Sequence, residues 1–113
     1  MPNITIFKKS LTSSAYKIIM KDGRKIVGHV YLYLIKNDLH ALPYGLLEDV
    51  FVKEEFRNLG FGSKLVDLAI KQADTIGCTK IIATSRKARV SVHRWYKKLG
   101  FKDYGLEFRK DLR

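Results

Sequence analysis

Apolar residues alternate with polar ones over positions 15–36, and this period of two predicts a pair of strands. Tyr16, Ile18 and Met20 share one face of the first strand, and Ile26, Gly28, Val30, Leu32 and Leu34 share a face of the second. Between them Asp22-Gly23 is a pair suited to positive φ in a tight hairpin turn, so the two strands are expected to be antiparallel. Asn37-Asp38 and Pro43-Tyr44-Gly45 then punctuate the chain, 46–52 reads as a third strand, and 4–7 reads as a short edge strand ahead of the meander. From Gly62 onward the period lengthens. Leu65, Val66, Ala69, Ile70, Ala73 and Ile76 fall on one stripe, opposite Lys64, Asp67, Lys71 and Asp74, which predicts an amphipathic helix ending at Gly77. The run 80–84, with Ile81-Ile82-Ala83, suits a strand buried on both faces, parallel to 46–52 across a right-handed crossover. Val92, Trp95, Tyr96 and Leu99 define a second helix. Gly100 takes its left-handed C′ position, and Phe101 is placed to pack back on the last turn. A final strand is expected at 104–108. The fold class is α/β, a mixed sheet with an antiparallel N-terminal meander and one parallel βαβ crossover.

The 113 residues suffice for one domain, 1–113, and no linker, repeat or low-complexity stretch divides them. The first ten residues show no secretory signal pattern and no apolar run approaches a membrane span, so the expected location is cytoplasmic. Cys78 is the single cysteine, which rules out an internal disulfide and a cysteine-rich metal site. His40 and His93 lack metal-ligand spacing, so no metal is expected. Twenty-two Lys and Arg against eleven acidic residues give +11, a balance that suits an anionic ligand or partner without choosing one.

The candidate chemistry begins at Arg57-Asn58-Leu59-Gly60-Phe61-Gly62, just before the first helix. A helix start leaves four N–H groups without intrahelical partners and carries about half a positive charge. Glycines there let an anion approach the main chain, and Arg57 adds a formal charge at the rim. The spacing alone also fits a plain strand-to-helix turn. It is neither a dinucleotide fingerprint, since Leu65 stands where a third glycine belongs, nor a P-loop.

In combination, LLEDVFVKEEFRNLGFGSKLVDLAI followed by HRWYKKLGF resembles the GNAT superfamily of acetyl-CoA-dependent N-acetyltransferases. The loop 57–62 is similar to that family's Arg/Gln-x-x-Gly-x-Gly/Ala pyrophosphate loop, and Tyr96 to Phe101 to its Tyr-x-x-x-Gly-Phe helix. A narrower likeness, to glucosamine-6-phosphate N-acetyltransferases, rests on Glu48-Asp49-Val50 and HRWYKKLGF. The resemblance implies splayed parallel strands, with the backbone of Val50, Phe51 and Val52 binding the pantetheine arm of acetyl-CoA. It places the diphosphate on the amides of Asn58, Leu59, Gly60, Phe61, Gly62 and Ser63, with Arg57, Arg86, Lys87 and Arg89 near the cofactor phosphates.

For the chemistry the resemblance implies Tyr96 as the acid that protonates the departing thiolate. Glu48 is the candidate base, directly or through water, and by simple alternation it shares a strand face with Val50. Asp49 on the other face and His29 in the neighbouring strand are weaker candidates, and the N–H of Val50 is the expected oxyanion donor. Two departures from the family stand out. Only about seven residues, 8–14, precede the first long strand, too few at about 1.5 Å per residue for the two helices usual between the first two strands. The acceptor side is therefore expected to be open, which suits a protein amine or a site completed by a second subunit in a homodimer and weakens the amino-sugar reading; the acceptor itself, a protein amine or a small amine, stays open. Arg89 also replaces the family's common Asn. Competing readings are a basic nucleic-acid-binding module, against which the core-stripe placement of the aromatics argues, and a non-catalytic acyl-CoA-binding domain.

Overall fold

A computed structural model describes residues 1–113. Four strands form one sheet in the order β1-β2-β3-β4: β1 (Ser14–Asp22), β2 (Lys25–Ile35), β3 (Tyr44–Val52) and β4 (Ile81–Ile82). The first three run antiparallel and β4 joins β3 in parallel. A 3₁₀ turn (Glu54–Phe56) leads from β3 to α1 (Phe61–Ile76), and α2 (Val90–Lys98) follows β4. The β1–β2 turn places Gly23 at φ +59 as the first of two loop residues, the position that a II′ turn reserves for glycine.

The core is the seam between α1 and one sheet face. Val30, Leu32, Leu34 and Leu47 from the sheet meet Leu65, Val66, Ala69 and Ala73, the stripe that the 3.6 period marks out. Val92, Trp95 and Tyr96 of α2 and Leu99 at its C-cap are half-buried, and the last three pack against this seam without being enclosed by it. The helix ends as expected, with Gly100 at φ +97, its N–H bonded to Lys97 and that of Phe101 to Tyr96, the paired bonds of a Schellman cap. A side-chain bond then ties the two helices together. The Trp95 indole N–H donates to Ser63 Oγ at 2.8 Å.

Four expectations need correction. The register slips between Met20 and Lys21, so Val27 is an extra residue in β2 and alternation restarts there. Val27 becomes 2% exposed, while Ile26, expected beside Gly28, turns out to 40%. The strand after α1 covers two residues rather than five and lies at the sheet's edge, with Ile81 and Ile82 half-buried instead of enclosed on both faces. Residues 104–108 form no strand, and residues 4–7 form none either. Strand patterning needs a neighbour to bond with, and neither segment meets one within its own chain.

At Gly28 the pairing of β2 with β3 leaves no room for a side chain: a Cβ there would collide with the Phe51 carbonyl oxygen and sit 3.1 Å from Val52 Cα. Both are backbone atoms that cannot swing aside, so Gly28→Ala is expected to cost about 2 kcal/mol or more in urea denaturation. Trp95→Phe, which removes the donor to Ser63, should cost about 1 kcal/mol. A double-mutant cycle with Ser63→Ala should recover that coupling.

Candidate functional site

The site begins with a fault in β3. Tyr31 pairs with Glu48 and His29 with Phe51, so β3 carries one more residue than β2 across this span, and Asp49 at φ +50 absorbs it. Aspartate is among the few residues that tolerate this region. The bulge reverses the side-chain parity. Leu47 faces the core opposite Leu32, Glu48 faces outward opposite Tyr31, and Val50 and Val52 return to the core side. Glu48 therefore does not share a face with Val50, as unbroken alternation requires. It shares one with Phe51, His29 and Tyr31, whose rings touch at 5.4–5.5 Å between centroids.

On its other edge β3 pairs with β4 only at Gly45 and Leu46. From Leu47 to Val52 that edge has no strand beside it, which leaves backbone groups available to a ligand. One is already engaged. Arg57 Nε donates to the Val52 carbonyl at 2.9 Å, and its guanidinium lies 5.6 Å from the Phe51 ring centroid. Arg57 thus folds back on the strand end, where sequence reasoning placed it at the rim of an anion seat.

Between β3 and α1 the backbone turns twice into the left-handed region, at Asn58 (φ +63) and Gly60 (φ +84). The first intrahelical bond runs from Lys64 to Gly60 at 3.2 Å, and no N–H from Asn58 to Ser63 donates to a protein acceptor. Successive amides in such conformations form a concave cradle for anions, reinforced here by the start of a 16-residue helix. The two glycines differ in why they are bare. Gly60 needs its positive φ, and a Cβ there would meet open space. At Gly62 a Cβ would make only ordinary contacts, 3.6 Å to Trp95 Cζ2 and 3.9 Å to Val52 Cγ2, so packing does not demand a glycine. The cradle fits a phosphorylated carrier.

A cleft of about 660 Å³ runs from this loop along the unpaired edge of β3 to α2. It is lined by Glu48, Asp49, Val50, Phe51, Val52, Arg57, Gly62, Arg89 and Tyr96 among the residues singled out in sequence, together with Leu47, Thr84, Ser85, Val92 and Trp95. Asn58, Leu59, Gly60, Phe61 and Ser63 stand outside its lining. Ser63 accepts from Trp95, Phe61 packs edge-on against Phe56 at 6.3 Å, and Leu59 is exposed. Thr84 and Ser85 went unmarked because a short polar loop after a strand carries no spacing signal. Trp95 looked like core stripe, and it serves both packing and site.

Tyr96 sits half-buried between Trp95 and Phe101, at 4.9 and 5.3 Å between ring centroids. Burial pushes its phenol above the ordinary tyrosine value, Arg89 draws it down, and Glu48 adds to the rise. The carboxylate and the guanidinium thus both act on the phenol, in opposite directions. Cys78 lies elsewhere, after α1, and burial raises its thiol, opposite to what a nucleophile requires. No cluster of three metal-ligating side chains occurs, and no helix is long and apolar enough to cross a membrane.

Comparison with known proteins agrees with this geometry. The model of the acetyltransferase (GNAT) family matches residues 4–101. Among solved structures, a protein of Agrobacterium tumefaciens assigned to the acetyltransferases is 26% identical with a TM-score of 0.79, covering 86% of this chain and 68% of its own. A transcriptional regulator from Bacillus halodurans is 28% identical with a TM-score of 0.79, over 87% and 66%. Glucosamine-6-phosphate N-acetyltransferase from Arabidopsis thaliana is 26% identical with a TM-score of 0.69, over 79% and 59%. This chain thus spans about 59–68% of the length of those structures. No protein matches in the search of curated sequences. With its bulged, half-paired strand leading into a glycine-opened helix, and with the family model matched over most of its length, the chain belongs to the GNAT acetyltransferase family.

Proposed function

We propose that residues 1–113 act as one N-acetyltransferase domain that moves an acetyl group from acetyl-CoA to a primary amine by direct attack, the acceptor being a protein amine or a small amine. The observation that carries this reading is the run of unpaired amides from Asn58 to Ser63 beside the unpaired edge of β3. Acetyl-CoA supplies an activated acetyl thioester. The amides of 58–63 would hold its diphosphate, and the backbone at Val50 would bond its pantetheine arm, while the Phe51 carbonyl turns the other way, toward Gly28 of β2. The Val52 carbonyl is spoken for by Arg57. Arg86, Lys87 and Arg89 supply positive charge for the remaining phosphate.

Tyr96 gives its phenol proton to the sulfur as the C–S bond breaks. Glu48 takes, through water, the proton that the amine nitrogen sheds as the C–N bond forms. The N–H of Val50 donates to the acetyl oxygen while charge develops there. The raised phenol pKa suits Tyr96 to this role, because a donor must still hold its proton at neutral pH. An open sheet face around Tyr33 and Phe51 supports a large or flexible acceptor.

The reading is tested by thiol release with acetyl-CoA against amines, amino sugars, polyamines and peptides. Release with no amine, alongside tight binding of coenzyme A, leaves a non-catalytic binding domain instead. Gly62→Ala should separate fold from ligand: stability rises by about 0.5 kcal/mol, because alanine is the better helix residue, while affinity for coenzyme A in calorimetry falls about tenfold or more. Tyr96→Phe should lower kcat far more than it changes KM for acetyl-CoA. In the wild type the alkaline loss of kcat should fall above pH ~10, the ordinary tyrosine value, because the folded phenol holds its proton longer. Arg89→Met removes a charge that favours the phenolate, so its alkaline limb should move to still higher pH. A limb that stays in place would remove Tyr96 as the acid.

A further inference from the structure

We infer that the amine accepted at this cleft also carries an anionic group and that Lys17 receives that group on the outward face of the sheet, a conclusion that rests on acetyl transfer being the reaction. Pairing across the sheet puts three side chains in one row. Lys17 of β1 stands opposite Tyr31 of β2, and Tyr31 stands opposite Glu48 of β3. The row faces away from α1, because the neighbours of Tyr31 along β2, Val30 and Leu32, fill the core. The rows on either side are Ala15, Tyr33 and Leu46, and Ile19, His29 and Phe51. Within these three rows Lys17 is the one ammonium and Glu48 the one carboxylate, with a tyrosine ring between them.

Neither charge is compensated within the chain. The ion pairs are Lys9 with Asp38 and Arg109 with Asp111. Lys17 lies instead over the Tyr31 ring, its Nζ 5.4 Å from the centroid. Arg57 reaches the same face at Phe51, 5.6 Å from that ring centroid, but it already donates to the Val52 carbonyl. Lys17 is exposed and long enough to swing off the ring toward a ligand. Two strand spacings of about 4.8 Å separate β1 from β3, so the two charges rise from main-chain positions about 10 Å apart. Glu48 also lines the cleft in which the acetyl group is delivered. An amine arriving as an ammonium ion is drawn to Glu48, and its stem crosses the Tyr31 ring. A carboxylate or phosphate no more than about 10 Å from the nitrogen then meets the Lys17 ammonium. A diamine or polyamine would set its second cation against Lys17, in a chain that already carries +11. The acceptor class is therefore an anionic amine, either a small amino acid or a lysine side chain with an acidic neighbour in a peptide.

Chains of equal length that differ only at the far end test this: ω-aminooctanoate, octylamine and diaminooctane. A second arm uses a blocked lysine peptide with Asp or Asn beside the lysine. With thiol release from acetyl-CoA as readout, kcat/KM should be about fivefold higher for aminooctanoate than for octylamine, the upper end for one exposed ion pair, and lowest for diaminooctane. The Asp peptide should likewise exceed the Asn peptide, and whichever arm has the higher kcat/KM assigns a protein or a small acceptor. Lys17→Met should erase the gap between aminooctanoate and octylamine, and Lys17→Glu should put diaminooctane first, with KM for acetyl-CoA unmoved in both. Loss of the Lys17 contact with Tyr31 alone would lower stability without reordering the three amines. A second measurement needs no turnover. Aminooctanoate titrated into the protein without acetyl-CoA should shift the amide NMR signals of Lys17, Tyr31 and Glu48 in the wild type and not in Lys17→Glu. Turnover that ranks octylamine or diaminooctane first in the wild type, or a ranking that Lys17→Glu leaves in place, overturns the inference while acetyl transfer stands. Amide shifts without thiol release from any amine remove acetyl transfer and keep the Lys17 site, and absence of both removes both.

Discussion

A strand in the middle of a sheet must satisfy backbone groups on both edges, and β3 does so only at its beginning. Gly45 and Leu46 have β2 on one side and β4 on the other. After them β4 diverges, and at Asp49 the extra residue bends β3 and reverses its alternation. Everything at the site follows from that half-paired stretch. Its exposed edge forms the floor of the cleft, and its end is held by Arg57 on the Val52 carbonyl. The chain leaving it enters the two left-handed turns that expose the amides of 58–63. Pairing β3 fully would stabilise the sheet and close the cleft.

Much of this was legible in residue order. Leu65, Val66, Ala69 and Ala73 announce both α1 and the face it buries, and Gly100 with Phe101 announces the end of α2. Those features are local, set by period and by single residues that tolerate special φ. The two bulges were not legible. Val27 and Asp49 each shift one strand relative to its neighbour, and such a slip depends on the pairing of two segments rather than on either alone. Ile26 and Glu48 were consequently assigned to the wrong faces. Residues 104–108 read as a strand because the pattern is present, but a pattern becomes a strand only where a neighbour pairs with it, and none does here. Arg57 presents a similar gap. Its place one residue before the amides of 58–63 was readable, whereas its bond to a carbonyl five residues back was not.

The charge balance has a finer structure than +11 suggests. At Tyr96 desolvation and Glu48 hold the phenol protonated while Arg89 pulls the other way, so a single tyrosine is tuned by opposing neighbours. Arg89, standing where α2 begins, is also where this chain departs from the family's usual Asn. A cation there bears directly on the Tyr96 phenol.

Trp95 is the only tryptophan in the chain. It bonds Ser63 in the first turn of α1, and its ring edge lies over bare Gly62. The molecule therefore carries a built-in fluorophore beside the unpaired amides of 58–63, one whose emission is sensitive to dehydration and to loss of the serine acceptor. A ligand settling on those amides would be followed optically in the unlabelled protein, with no competing signal from any other indole.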